Sequence, residues 1–142
     1  MLNSATIEVT DGETIVIRQQ SDVIQLTSRI RRRASGMAMS TLNQTKLGTA
    51  ASELARNMLV YGGGGNVQLD CVRSGLRTGI RLLFVDRGPG IVDIEKAMQT
   101  GYSTGTGMGL GLPGAKRLAD EFYLTSTVGE GTTVTILKWA NG

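Results

Sequence analysis

Three stretches of the chain hold residue types that can do chemistry. Glu53 and Asn57 are four residues apart, a spacing that sets both on one face of a helix, one turn from each other. A carboxylate in that place can take a proton from an incoming hydroxyl, and a carboxamide oxygen is a hard donor suited to Mg²⁺. The same pair also reads as an ordinary polar helix flank, with Glu53 joined to Arg56 three residues on. The second stretch, Asp86-Arg87-Gly88-Pro89-Gly90, follows an apolar run. A carboxylate only accepts hydrogen bonds, so Asp86 at a strand end suits an exocyclic amine such as that of adenine, and the glycines let a flat ligand meet backbone. Asp followed by Gly and Pro is equally the composition of a turn that closes a strand.

The third stretch runs from Gly101 to Gly114 and holds six of the chain's 20 glycines. Exposed amides that lead into a helix N-terminus favour anionic phosphate. Gly109-Leu110-Gly111-Leu112-Pro113-Gly114 satisfies G-x-G-x-x-G, but no hydrophobic strand comes immediately before it, as a dinucleotide-binding turn requires. Ala115-Lys116 stands where a Walker A motif needs Lys-Ser/Thr. A phosphate-covering lid fits better.

These residues need elements to position them. Ile7/Val9 and Ile15/Ile17 alternate about Asp11-Gly12, which predicts a hairpin with a two-residue turn. Ser21-Asp22 offers an N-cap, and Val23, Leu26, Ile30, Ala34 and Met37 follow at helix spacing. A second helix is expected over Leu42–Tyr61, burying Leu47, Ala51, Leu54, Met58 and Tyr61, with Gly62–Gly65 as its stop. Strands are expected at Val67/Leu69/Cys71 and Ile80/Leu82/Phe84, short helices at Asp93–Met98 and Pro113–Glu121, and a final hairpin of Phe122–Val128 with Thr132–Trp139. Six strands joined by hairpins rather than βαβ units predict an α+β fold. The expected architecture is a two-layer sandwich, its mixed and mostly antiparallel sheet covered on one face by helices.

Composition bounds the function. The chain has 142 residues and a net charge of +3, with 40% hydrophobic and 19% charged residues. This predicts one globular domain over 1–142 and excludes composition-driven disorder. Apolar runs such as Leu82–Val85 are too short to span a membrane, and the polar start Met1-Leu2-Asn3-Ser4 does not read as a signal peptide. The single cysteine, Cys71, allows no intrachain disulfide and points to a reducing cytoplasm; its apolar strand position reads as a buried thiol. The absence of histidine excludes His-ligated metals, Ser-His-Asp and Cys-His triads and a phosphohistidine step within this chain. Arg29, Arg31, Arg32 and Arg33 lack interleaved aromatics, so they read as a solvated or partner-docking face rather than a nucleic-acid site.

Taken in order, the motifs resemble the GHKL family of ATP-binding domains, shared by gyrase, heat-shock chaperones, histidine kinases and MutL. Glu53-x-x-x-Asn57 resembles its N box and Asp86-x-Gly88-x-Gly90 its first glycine box. Gly105-x-Gly107-x-Gly109-Leu110-Gly111-Leu112 resembles the second, and Gly129-x-Gly131-Thr132 the last. Within the family, Ala51–Asn57, Gly101–Thr104 and Gly111–Phe122 are similar to the small anti-sigma-type serine/threonine kinases of bacterial partner-switching systems, the switch kinases of the stressosome.

The resemblance implies ATP and Mg²⁺ as cofactors. Asp86, with Thr132 near the same edge, would hold the adenine amine, Asn57 would ligate Mg²⁺, and Glu53 would act as general base. The amides of Gly107, Gly109 and Gly111 would cradle phosphate, with Gly88, Gly90, Gly105 and Leu110 completing the nucleotide boxes. Between Ile91 and Gly114 the only basic residue is Lys96, whereas some relatives place a lid cation at the γ-phosphate, which leaves Lys116 or Arg56 for that charge. The implied partners are STAS-domain antagonist or scaffold proteins as substrates, and a PP2C-type phosphatase or a sigma factor as docking partner. Neither nucleic acid nor membrane is implied. A docking-only module and a detached histidine-kinase catalytic domain are the alternative readings.

Overall fold

A computed structural model describes residues 6–99 and 111–141. Its elements in chain order are β1 (Glu8–Ile17), α1 (Gln20–Gly36), α2 (Thr41–Gly62), β2 (Gly65–Ser74), β3 (Arg77–Asp86), α3 (Ile94–Ala97), α4 (Gly111–Leu118), β4 (Glu121–Thr127) and β5 (Gly131–Trp139). The strands form one sheet in the order β1-β2-β3-β5-β4. Every pairing among the described residues is antiparallel, so the sheet is not mixed.

Side-chain alternation divides the sheet into two faces. Ile15, Ile17, Val67, Leu69, Ile80, Leu82, Phe84, Val134 and Ile136 are buried in a core shared with Val23, Leu26, Ile30, Leu47, Ala51, Leu54 and Met58 from α1 and α2. The expected helix spacing is thus the one that packs. On the opposite face Val72, Leu137 and Trp139 form a smaller cluster with Ile7, where the Arg77 guanidinium lies 4.3 Å from the Trp139 ring centroid. Cys71 is a free, buried thiol, and burial pushes it upward against the opposing pull of Arg33. Among the described residues no helix is long and apolar enough to cross a membrane.

The expected first hairpin is not formed. β1 runs continuously through Asp11 and Gly12, with Asp11 opposite Cys71 and Gly12 opposite Asp70. A two-residue turn of the type expected needs positive φ at its central residues, and neither Asp11 nor Gly12 has it. A bulge between Val9 and Asp11 shifts the register instead. The shift leaves Asp11 and Glu13 in line with Ile15 and Ile17, facing the helices. Glycine is needed at position 12 for close approach, because a Cβ there would lie 2.7 Å from Asp70 Oδ1.

Capping explains the helix limits. The N-cap of α1 is Gln19, before the expected Ser21-Asp22: Asp22 sits in the first turn, where Oδ2 accepts from the Arg18 and Gln19 amides at 2.8 and 3.1 Å. α2 is capped by Ser40 Oγ, which accepts from Asn43 N at 3.1 Å, and it ends where Gly63 takes φ 74°. At the other end of the core, Asp120 accepts from Lys138 Nζ at 3.2 Å and Trp139 N at 2.8 Å, tying the turn after α4 to β5.

Candidate functional site

The ends of α2 and β3 meet at a cavity of about 290 Å³. α2 lines it with Leu54, Asn57, Met58, Tyr61 and Gly62, β3 with Phe84 and Asp86, and β5 with Thr132 and Val134. Gly90, Ile91 and Ala97 close one side, and Gly111 and Leu112 at the start of α4 close another. The walls are mostly apolar, with Asn57, Asp86 and Thr132 among the polar groups. This suits a flat heterocycle with a polar edge.

Five predicted site residues, Asn57, Asp86, Gly90, Gly111 and Thr132, therefore line one cavity although they span the chain from α2 to β5. Asp86 and Thr132 are directly opposite across β3 and β5, which puts their side chains on one face. Asp86 Oδ1 accepts from Gly88 N at 2.9 Å, so Gly88 supports the carboxylate rather than lining the cavity. Thr132 Oγ1 lies 2.8 Å from Ser126 Oγ, and Ser126 Oγ also accepts from Ile91 N at 2.8 Å. Ser126 thus ties Thr132 to the loop after β3.

Glu53 sits one turn before Asn57 and does not line the cavity. The reason is angular: at about 100° per residue, α2 turns the arc from Asn57 to Gly62 toward the cavity and leaves Glu53 about 40° beyond its edge. Glu53 is 3% exposed. Its Oε2 accepts from Arg56 Nη1 at 3.3 Å, while Oε1 is buried with no hydrogen-bond partner among the described residues. Of the two sequence readings of this carboxylate, the pairing with Arg56 is the one formed, and it occupies one oxygen. An unsatisfied buried acceptor costs about 1–3 kcal/mol. Lys116 is exposed in the last turn of α4 and does not line the cavity. Gly105, Gly107, Gly109 and Leu110 lie outside the described residues.

Two residues at the site were given another role by the sequence. Tyr61, expected in the buried stripe, is 48% exposed and lines the cavity; helix periodicity assigns a face but not what covers it. Gly62, expected only to stop α2, abuts Asp86: a Cβ on it would lie 2.6 Å from Asp86 Cγ. A Cβ on Gly131 would likewise collide with the Asp86 carbonyl oxygen. No local signal marks Gly62, because the neighbour that needs its bare Cα is Asp86, distant in sequence.

A largely apolar cavity with Asp86, Thr132 and Asn57 in its wall and the start of α4 beside it sits at the end of the central helix of this α+β domain. Residues 42–141 match the model of the histidine kinase-, DNA gyrase B-, and HSP90-like ATPases, and the chain belongs to that family. It is 40% identical over 129 residues to the serine/threonine-protein kinase RsbT of Bacillus subtilis (strain 168), covering 91% of this chain and 97% of that protein. It is 32% identical over 95 residues to an anti-sigma F factor of Thermoanaerobacter sp. (strain X514), covering 64% of this chain and 66% of that one. Among solved structures, the RsbU and RsbW domains of a Mycobacterium tuberculosis protein share the fold, with a TM-score of 0.63 at 17% identity over 91% of this chain and 32% of that chain.

Proposed function

We propose that this protein is an ATP-dependent serine/threonine kinase of a bacterial partner-switching module, acting as a single catalytic domain in the cytoplasm. The observation that carries the reading is the arrangement on α2 and β3: Asn57 and Asp86 line one cavity, and Glu53, with one oxygen unpartnered among the described residues, lies one helical turn beyond Asn57. The base of ATP lies in the apolar part of the cavity, with its amine donating to Asp86 and Thr132 beside it. The phosphates extend toward Asn57 and the start of α4, with the amides of Gly107, Gly109 and Gly111 assigned to cradle them.

Glu53 takes the proton of a substrate serine or threonine hydroxyl as its oxygen bonds to the γ-phosphorus. The bond from that phosphorus to the bridging oxygen breaks, and ADP leaves with the electron pair. The described residues hold no group of three or more acidic, cysteine or histidine side chains able to enclose a metal. The Asn57 carboxamide oxygen at the cavity wall is a hard donor that fits Mg²⁺, an ion that takes most of its ligands from water and phosphate. When bound, Mg²⁺ would supply charge neutralisation at the phosphates.

The proposed substrates are STAS-domain antagonist or scaffold proteins. A phosphate on such a protein adds about −1.5 to −2 charge to its interface and releases the complex. A PP2C-type phosphatase is the proposed docking partner after release. The likeness to an anti-sigma F factor favours a second reading, in which the chain sequesters a sigma factor and nucleotide chemistry is secondary.

Incubation with Mg-ATP and candidate STAS-domain proteins, followed by phosphosite mapping, tests the first reading. Acid-stable phosphate on serine or threonine is expected, and it should disappear with Glu53→Ala while nucleotide still binds. Absence of transfer to every candidate, together with a partner retained by Asp86→Asn in a pull-down, would replace the kinase with the docking module. Acid-labile phosphate would point instead to histidine-kinase chemistry.

A further inference from the structure

The last residue of α2 stands against the carboxylate assigned to the nucleobase. A Cβ on Gly62 would lie 2.6 Å from Asp86 Cγ, 2.8 Å from Oδ2 and 2.9 Å from Cβ, and real Cβ atoms do not approach so closely. Gly62 does not have positive φ, so its backbone would accept alanine. The three atoms nearest the added methyl all belong to the Asp86 side chain. On the other side, the Gly88 amide holds Oδ1 at 2.9 Å. Gly88 in turn packs on Gly62, since a Cβ there would lie 2.7 Å from Gly62 Cα. The carboxylate is held between two bare backbone segments, with Oδ1 engaged by Gly88 and Oδ2 on the side facing Gly62.

We infer that Gly62 is a positioning residue that sets base selectivity: its missing side chain is what lets Asp86 hold the rotamer in which a purine amine can reach it. The inference rests on the assignment of Asp86 to that amine. It adds that the discrimination is built into the end of α2, which touches neither phosphate nor reacting atoms. Any larger residue at 62 turns the carboxylate aside and removes the preference for an amino purine over an oxo purine. The rest of the cavity, which grips both bases through apolar contact, is left in place.

The test compares ATP with inosine triphosphate, which carries a carbonyl where adenine carries the amine, by calorimetry on the full chain. Wild type should prefer ATP by about tenfold or more, the worth of a hydrogen bond to a charged acceptor. Gly62→Ala should bring the two nucleotides to within about twofold of each other, through loss of ATP affinity and not of inosine triphosphate affinity. Gly48→Ala, in the same helix with nothing within 4 Å of its new methyl, should keep the wild-type preference. Equal weakening of both nucleotides by Gly62→Ala, or a preference that survives it, would overturn the inference alone. A wild type without preference would overturn the Asp86 assignment as well. Should Gly62→Ala fail to fold, the same change in an Asp86→Gly background decides: recovery of a cooperative melt there supports the contact with Asp86, and continued failure to fold refutes it.

Discussion

The helix-covered face of the sheet treats charge in opposite ways at the edge strand β1 and at the C-terminal end of the central strand β3. At the β1 end, Arg33 Nη2 meets Glu13 Oε2 at 2.8 Å, Arg33 also bonds Asp11, and Arg29 bonds Glu13. Each acid has a guanidinium and the group is complete without a ligand. The Arg33 hydrogen bond holds Asp11 below the usual carboxylate range. Burial pulls Glu13 upward, but Arg33 and Arg29 outweigh it and leave that carboxyl lowered too. Near the end of β3, Glu53 keeps one buried oxygen without a partner among the described residues and Asp86 lines a cavity. The first group braces the fold, whereas the second is the one to which the proposed function assigns ligand and substrate. The arginine-rich run of α1 belongs to the first kind for Arg29 and Arg33, which are committed to β1.

That contrast can be broken most severely at Glu53. Glu53→Gln keeps the shape and removes the base, so phosphoryl transfer should fall by about 10²–10⁴-fold while calorimetric nucleotide affinity changes little. The same variant should melt slightly above wild type, because an under-satisfied buried charge has been removed. A lower melting temperature would show that the carboxylate serves stability instead. Asp86→Asn comes next: it turns an acceptor oxygen into a donor facing the base amine, and ATP affinity should fall by about 10–100-fold with the melting temperature nearly unchanged. Asn57→Ala should weaken nucleotide binding measured in magnesium by about tenfold, and much less when measured in a chelator.

The smallest effect is expected at the braced end. Arg33→Ala should lower the melting temperature by about 2–4 °C at neutral pH and leave transfer untouched. The sign with pH follows from the lowered Asp11 and Glu13 carboxyls. Their stabilisation is fully present above the ordinary carboxylate range and disappears as pH falls through the lowered folded-state values. The difference between wild type and Arg33→Ala should therefore shrink on acidification, and thermal melts between about pH 7 and pH 3 would show it. A gap that widens would contradict the ion-pair account.

Sequence patterns conveyed the parts of the fold that depend on local periodicity. The alternation of Val67/Leu69/Cys71 and Ile80/Leu82/Phe84 is the alternation of β2 and β3, and the α2 stripe packs as spaced except at Tyr61. Errors fell where a long-range partner decides. Asp11-Gly12 has turn composition, yet its pairing with Cys71 and Asp70 draws it into a strand, and no local signal reports the neighbour. Asn57, Asp86, Gly90, Gly111 and Thr132 were legible because each motif carries its own glycines or polar spacing. Gly62 was not, since its need for a bare Cα arises from Asp86, which is distant in sequence and adjacent only after folding.

One rod of backbone, α2, carries the proposed proton acceptor, the metal-side carboxamide and the stop against which the base-reading carboxylate rests. Nine peptide units separate Glu53 from Gly62, about 13.5 Å of helical rise. The helix is therefore the molecule's measuring stick, graduated at one end for chemistry and at the other for recognition. Inserting or deleting a single residue between those marks would rotate one end by about 100° relative to the other. The chain can drift in sequence along this segment far more readily than it can change in length.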